Sequence, residues 1–196
     1  MKQRTAHKYS LHALSRKAVR TAVAEGAHQH LVVALTAQIK TVEKEIQRLF
    51  KQEPPFDALL ALLLTIPGVG LLLAAQFLVL TQCGAAQRPS NQLAAHTGIA
   101  PLEHQSGQSV RGRTTSRHFG PAPMRKLLHL GARSVCTHNA QFRSYYERKL
   151  AEGKPKRLVL NNVANKLLKV MCAVMESQTP YDPNYRPVRL APARTA

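Results

Sequence analysis

Between Ala58 and Leu80 the chain is apolar almost without interruption, and its one interruption, Ile66-Pro67-Gly68-Val69-Gly70, decides what that stretch can become. Proline removes a backbone donor and clashes with the preceding helical turn, while glycine releases the chain into a tight turn. The stretch therefore reads as two helices, from about Phe56 to Leu64 and from Leu71 to Leu80, joined by a turn. Each half is too short to cross a bilayer. Hydrophobic-Pro-Gly-hydrophobic-Gly is the helix-hairpin-helix pattern. In it the second helix offers unpaired N–H groups and a positive dipole end to a DNA phosphate, and Gly68 and Gly70 let the backbone come close to it. A plain helical hairpin, whose glycines only permit close packing, fits the same residues.

Charge indicates the partner. Lys and Arg number 28 against 10 Asp and Glu, a formal net charge of +18 with a sequence pI near 10.6. A fold does not need that excess, whereas a polyanion-binding surface does, through release of condensed counterions. Nucleic acid is the leading expectation, with an anionic membrane surface as the weaker alternative. Residues 1–20 are polar and basic and lack the apolar run of an export signal. Cys83, Cys136 and Cys172 lie far apart, with no CxxC pair and no His-x-x-x-His partner, so neither a disulfide framework nor a zinc site is expected. They read as thiols in a reducing cytoplasm.

The rest of the chain reads as mainly helical. From Met1 to about Gly26 it is basic and irregular, expected as disorder or a frayed helix. Val32, Leu35, Ile39, Val42, Ile46 and Leu49 then recur at alternating spacings of three and four, an a/d seam with Lys40, Glu43, Lys44 and Arg48 on the other faces. Two readings stand for this helix: a short coiled coil, or an amphipathic helix laid on the core. Pro54-Pro55 end it and mark a domain boundary. Glu103–Gly120 is polar, Gly- and Ser-rich and basic, expected as an extended loop or hairpin. Helical periodicity returns from Pro123 to Leu150 and, after Gly153-Lys154-Pro155, from about Lys156 to Ser177. The expected organisation is a basic segment with a coiled-coil-like helix over 1–55, a helical domain over 56–181, and a Pro-rich tail over 182–196, ordered only where it docks.

The chemistry-bearing residues concentrate after Gly98. Gly98-Ile99-Ala100-Pro101 leads into His104-Gln105-Ser106-Gly107, then Arg111-Gly112-Arg113, Arg117 and Pro123-Met124-Arg125-Lys126. Across residues 84–170, 15 Lys or Arg stand against Glu103, Glu147 and Glu152. Arg111, Arg113 and Arg117 suit phosphate clamping through their fork geometry, with Arg125 and Lys126 adding charge. A solvated basic face is the alternative, and it leaves the scarcity of acidic partners unexplained.

These residues carry a family resemblance. Leu64–Gly70 (LTIPGVG), Pro89–Ala94, Gly98–Pro101, Gln105-Ser106-Gly107, Arg111–Arg113 and Leu127-Leu128 resemble the C-terminal transposase domain of the DEDD-type, bridge-RNA-guided insertion-sequence transposases of bacteria and archaea. The likeness runs from about Phe56 to Tyr181. Lys154–Arg157 and Asn165–Leu168 look like that domain's closing helix, and Val32–Leu49 is similar to the coiled-coil segment preceding it. The resemblance implies that a serine attacks the DNA phosphodiester and forms a phosphoserine link during strand exchange. It carries that role onto Ser106, with Arg111 and Arg113 neutralising the phosphoryl charge. Ser109 and Ser116 are rivals in sequence, and His104 and His118 flank the position as acid or base candidates. DNA, a structured guide RNA and further copies of the chain are the implied partners, in a nucleoid-associated cytoplasmic setting without a membrane.

One departure bears on activity. Family members begin with a RuvC-like nuclease domain whose four acidic residues bind divalent metal, expected to be magnesium. Here only Glu25, Glu43, Glu45, Glu53 and Asp57 precede Ala58, in helical or Pro-rich text that assembles no two-metal cluster. No cofactor or metal site is therefore expected in this chain. It reads as a truncated copy that binds nucleic acid but by itself recombines little or nothing.

Overall fold

The computed structural model describes residues 2–16, 21–85, 88–106, 110–116 and 120–184; for 102–106 and 110–115 the description is of the backbone alone. The chain is mainly helical and divides into two compact units, Met1–Asp57 and Ala58–Ala196.

The first unit is a pair of helices, α1 (Lys2–Leu14) and α2 (Ala22–Gln52). The irregular or frayed N-terminus expected from sequence is corrected here, because a helix of 13 residues, marginal alone, gains its stability by packing along a neighbour. His7 on α1 meets His28 on α2, Nδ1 to Nδ1, at 2.9 Å. Neither helix buries a single residue. Of the seam, Val32, Leu35, Ile39 and Ile46 are half-buried, while Val42 and Leu49 are 57% and 51% exposed.

Pro54 and Pro55 do more than stop α2: they open α3 (Pro54–Leu64), where a missing N–H is harmless. Leu60 and Leu63 of α3 turn inward, as do Leu73, Ala74, Phe77 and Leu78 of α4 (Leu71–Leu80). After a 3₁₀ turn at Gln82–Gly84 come α5 (Ser90–Thr97), β1 (Pro101–Ser106), β2 (Val110–Ser116), α6 (Ala122–His138), α7 (Ala140–Ala151) and α8 (Lys156–Ser177). β1 and β2 form an antiparallel hairpin with an irregularity between Leu102 and His104.

The helix expected through Pro123–Leu150 is two helices. Asn139 adopts extended backbone (φ −123°, ψ 120°) between α6 and α7, and its Oδ1 accepts from the N–H groups of Gln141 (2.9 Å) and Phe142 (3.3 Å). An asparagine that can cap competes with helix continuation, a signal apolar periodicity does not carry. Its Nδ2 donates to the Tyr181 hydroxyl at 2.8 Å, and the Tyr181 N–H donates to Thr65 Oγ1 at 2.9 Å, so the end of the helical domain is held by these groups.

α8 is the axis of the second unit, with nine buried residues including Val163, Leu167, Leu168 and Met171. Among the described residues it is the one helix long and apolar enough to cross a membrane by length and composition, and half of that apolar window is buried in the protein. α6 crosses it at Gly131, where a Cβ would lie 2.7 Å from Leu73 Cδ2 and 3.0 Å from Leu167 Cδ2. Glycine there lets α4, α6 and α8 converge.

Candidate nucleic-acid interface

The turn between α3 and α4 treats its two glycines differently. Gly68 has φ +91°, and a Cβ on it would stand 2.7 Å from the Val135 backbone nitrogen and 2.8 Å from Val135 Cγ1. Its freedom is therefore used in seating the turn against α6, the packing role that sequence left as the alternative. Gly70 is exposed, has nothing within 4 Å of its Cβ position, and begins α4 without a side-chain cap. The first N–H groups of α4 have no capping side chain there, and the positive end of the helix dipole lies behind them.

That arrangement recurs. α4, α5, α6 and α8 all begin with no acidic residue in the first turn and no side-chain cap. Ordinarily a Ser, Asp or Glu satisfies those donors and offsets the dipole. Each such end, in a chain of formal charge +18, favours an anion over a cation.

The β-hairpin stands on a fixed base. Gly98 takes a left-handed conformation (φ 72°) at the end of α5, the N–H groups of Ile99 and Ala100 both donate to Ala94 O at 3.1 Å, and Asn161 Nδ2 on α8 donates to Ile99 O at 2.8 Å. On the return side Gly120 (φ +81°) passes so close to α5 that a Cβ would lie 1.7 Å from His96 O. Arg125, in the first turns of α6, donates from Nη1 to Thr97 O at 3.2 Å. Part of its charge is therefore directed to the negative end of α5, whereas Lys126 is exposed beside it.

Ser106 is the last residue of β1, paired with Val110; Gln105 pairs with Arg111 and His104 with Gly112. At about 3.3 Å per residue Ser106 stands roughly 17 Å of strand from Pro101, at the far end of the arm. Ser116 pairs with Pro101 at the base, the opposite end from Ser106. Arg117, Ser109 and His118 lie outside the described residues.

The hairpin and the α3–α4 turn are held at different ends of α6. Arg125 sits near its start and Val135, against Gly68, ten residues on, or about 15 Å at 1.5 Å per residue. The two features that sequence reads as phosphate-directed are thus held at separate places on one scaffold. Among the described residues no group of three or more His, Cys, Asp or Glu side chains could hold a metal. The donor set for a divalent ion is not met there.

Residues 60–147 match the transposase IS116/IS110/IS902 family, a span from α3 to within α7. The chain is 28% identical over 145 residues to the "pilin gene-inverting protein" of Moraxella lacunata, covering 74% of this chain and 45% of that protein. It is 28% identical over 151 residues to the "insertion element IS110 uncharacterized 43.6 kDa protein" of Streptomyces coelicolor, 77% of this chain and 36% of that one. It is 30% identical over 161 residues to the "probable family 20 transposase" of Pseudomonas aeruginosa, 78% of this chain and 47% of that one. It thus spans less than half the length of each of these relatives.

Proposed function

From the transposase IS116/IS110/IS902 family domain at residues 60–147, we propose that this chain grips DNA and contributes the serine step of strand transfer in transposition. The observation that carries the reading is the hairpin within that domain, with Ser106 the last residue of β1 and the base tied to α5 and α8. Bare helix N-termini at α4 and α6, with Lys126, hold the sugar-phosphate chain by charge and by backbone donors, without reading bases.

In the chemical step Ser106 Oγ attacks phosphorus, an O–P bond forms to the serine, and the leaving sugar oxygen departs with the bonding pair. The serine proton passes to a base, for which His104, two residues earlier on β1, is the nearest candidate in sequence. Arg111, Arg113 and Arg117 offset the charge on the non-bridging oxygens. A structured guide RNA and any divalent ion held by an acidic nuclease domain belong to this reading as partners of the transposase rather than as steps performed by these residues.

Self-association is part of the same proposal. The uncovered stripe of α2, with Val42 and Leu49 outermost, suits the matching stripe of a second copy.

The test is covalent trapping on labelled DNA carrying a scissile junction, with an acidic nuclease partner supplied in trans. An adduct that disappears in Ser106→Ala while binding persists supports the assignment. An adduct that survives in Ser106→Ala moves the nucleophile elsewhere. DNA binding without any adduct in the wild type favours a purely binding role, the second reading that the packing of Gly68 leaves open.

A further inference from the structure

A second concentration of positive charge lies on α7 and the first half of α8. Three cations close over two aromatic rings of α7. Lys166 Nζ stands 5.0 Å from the centre of the Tyr145 ring and 5.3 Å from that of the buried Phe142. Arg148 Cζ lies 5.6 Å and Lys149 Nζ 5.9 Å from the Tyr145 ring centre.

Glu152 is the carboxylate that answers them, 2.7 Å from Lys149 Nζ and 3.0 Å from Lys154 Nζ. Those two hydrogen bonds hold its carboxyl below the usual range, and one negative charge is divided between two ammonium groups. Among the described residues neither Arg148 nor Lys166 has a carboxylate partner. From residue 140 to 166 seven Lys and Arg accompany two Glu. Packing like charges around one ring is unfavourable unless something anionic arrives, and the ring faces hold the side-chain stems in position without cancelling their charge.

We propose that this α7–α8 surface is a second binding site for the sugar-phosphate backbone of a nucleic acid, with Arg148 and Lys166 each engaging a phosphate. The planar guanidinium of Arg148 matches two phosphate oxygens, and the ammonium of Lys166 acts as a point charge. Tyr145 positions both. The four cations lie just beyond residue 147, where the family match ends, and the rings of Phe142 and Tyr145 lie just inside it. The site rests on the reading of this chain as a nucleic-acid binder, and a second site of this kind would let one chain hold two strands or two stretches of one strand.

RNA and DNA share the phosphodiester, so a labelled DNA duplex and a labelled RNA stem-loop are titrated in parallel over a series of salt concentrations. The proteins are the full wild-type chain, the R148Q/K166Q double variant, and K40Q/K44Q on α2, which removes the same charge elsewhere. R148Q/K166Q should bind about tenfold more weakly than wild type, and its slope of log K against log salt should be shallower by about 1.5–2, the value for two lost phosphate contacts. K40Q/K44Q should change less on both counts. The polymer that shows the loss, duplex, RNA or both, identifies the occupant. A footprint on the wild-type chain gives a readout independent of any variant: bound nucleic acid should slow acetylation of Lys149, Lys154 and Lys166 more than that of Lys40. Wild-type binding that R148Q/K166Q leaves unchanged, or an equal loss in K40Q/K44Q, overturns this site alone. A wild-type chain that binds neither polymer removes the proposed function and this site together.

Discussion

Gly120→Ala should unseat the hairpin, and Gly153→Ala separates the two causes. Both glycines are left-handed, with φ +81° and +77°. Forcing alanine into that region costs about 1–2 kcal/mol at either position. Gly153 has nothing within 4 Å of its Cβ position, so its loss should stop there. At Gly120 the new carbon would stand 1.7 Å from His96 O and 2.9 Å from His96 C, where separations under 3.0 Å essentially never occur. The strand exit has to retreat by more than an ångström from backbone that ends α5, and overpacking of that kind adds about 1–3 kcal/mol. The totals are about 2–5 kcal/mol for Gly120→Ala and 1–2 kcal/mol for Gly153→Ala. Urea unfolding followed by circular dichroism measures both. With a slope of about 1–3 kcal/mol per molar urea, the Gly120 variant should lose roughly twice as much midpoint concentration as the Gly153 variant. Equal shifts would show that the approach of Gly120 to α5 carries no stability, and the account of how the hairpin is seated would be wrong.

Asn139→Ala should cost about 1–2 kcal/mol by removing the α7 cap and the bond to Tyr181, whereas Asn139→Asp should keep most of the cap; thermal melting compares them. Cys172 is 2% exposed, and burial pushes its thiol from 9.0 up to about 12. At pH 8 its thiolate fraction in the native protein is then roughly a thousandfold below that of an ordinary thiol, so a thiol reagent should label it only after denaturant is added. Because the folded value is raised, its contribution to stability is present below pH 9 and is lost as pH rises towards 12. The double variant Val42→Lys and Leu49→Lys should shift sedimentation of the wild-type chain towards monomer, and an unchanged profile would remove α2 from self-association.

Much of the second unit was legible because its elements announce themselves locally. The apolar run with its Pro-Gly break marks α3 and α4, and Gly153-Pro155 marks the break before α8. What sequence missed depends on partners distant along the chain. α1 has no clear face of its own and reads as frayed until α2 is beside it. Asn139 looks like one polar residue in a periodic stretch, and only its two backbone bonds reveal a boundary. Gly68 and Gly70 look equivalent as letters, yet the α6 backbone occupies the space beside one and not the other. Arg125 counted as a phosphate-directed charge, and nothing local shows that it also donates to Thr97 O. The clustering of Lys166 with Tyr145 was hidden for the same reason, since 21 residues separate them.

The most direct test of the central claim is the affinity of the intact chain for duplex DNA across a salt series. Dissociation constants that weaken by several powers of ten between low and near-physiological salt, along a straight line of log K against log salt corresponding to several phosphate contacts, are what this scaffold should give. Absence of binding at the lowest salt, or binding indifferent to salt, would contradict it.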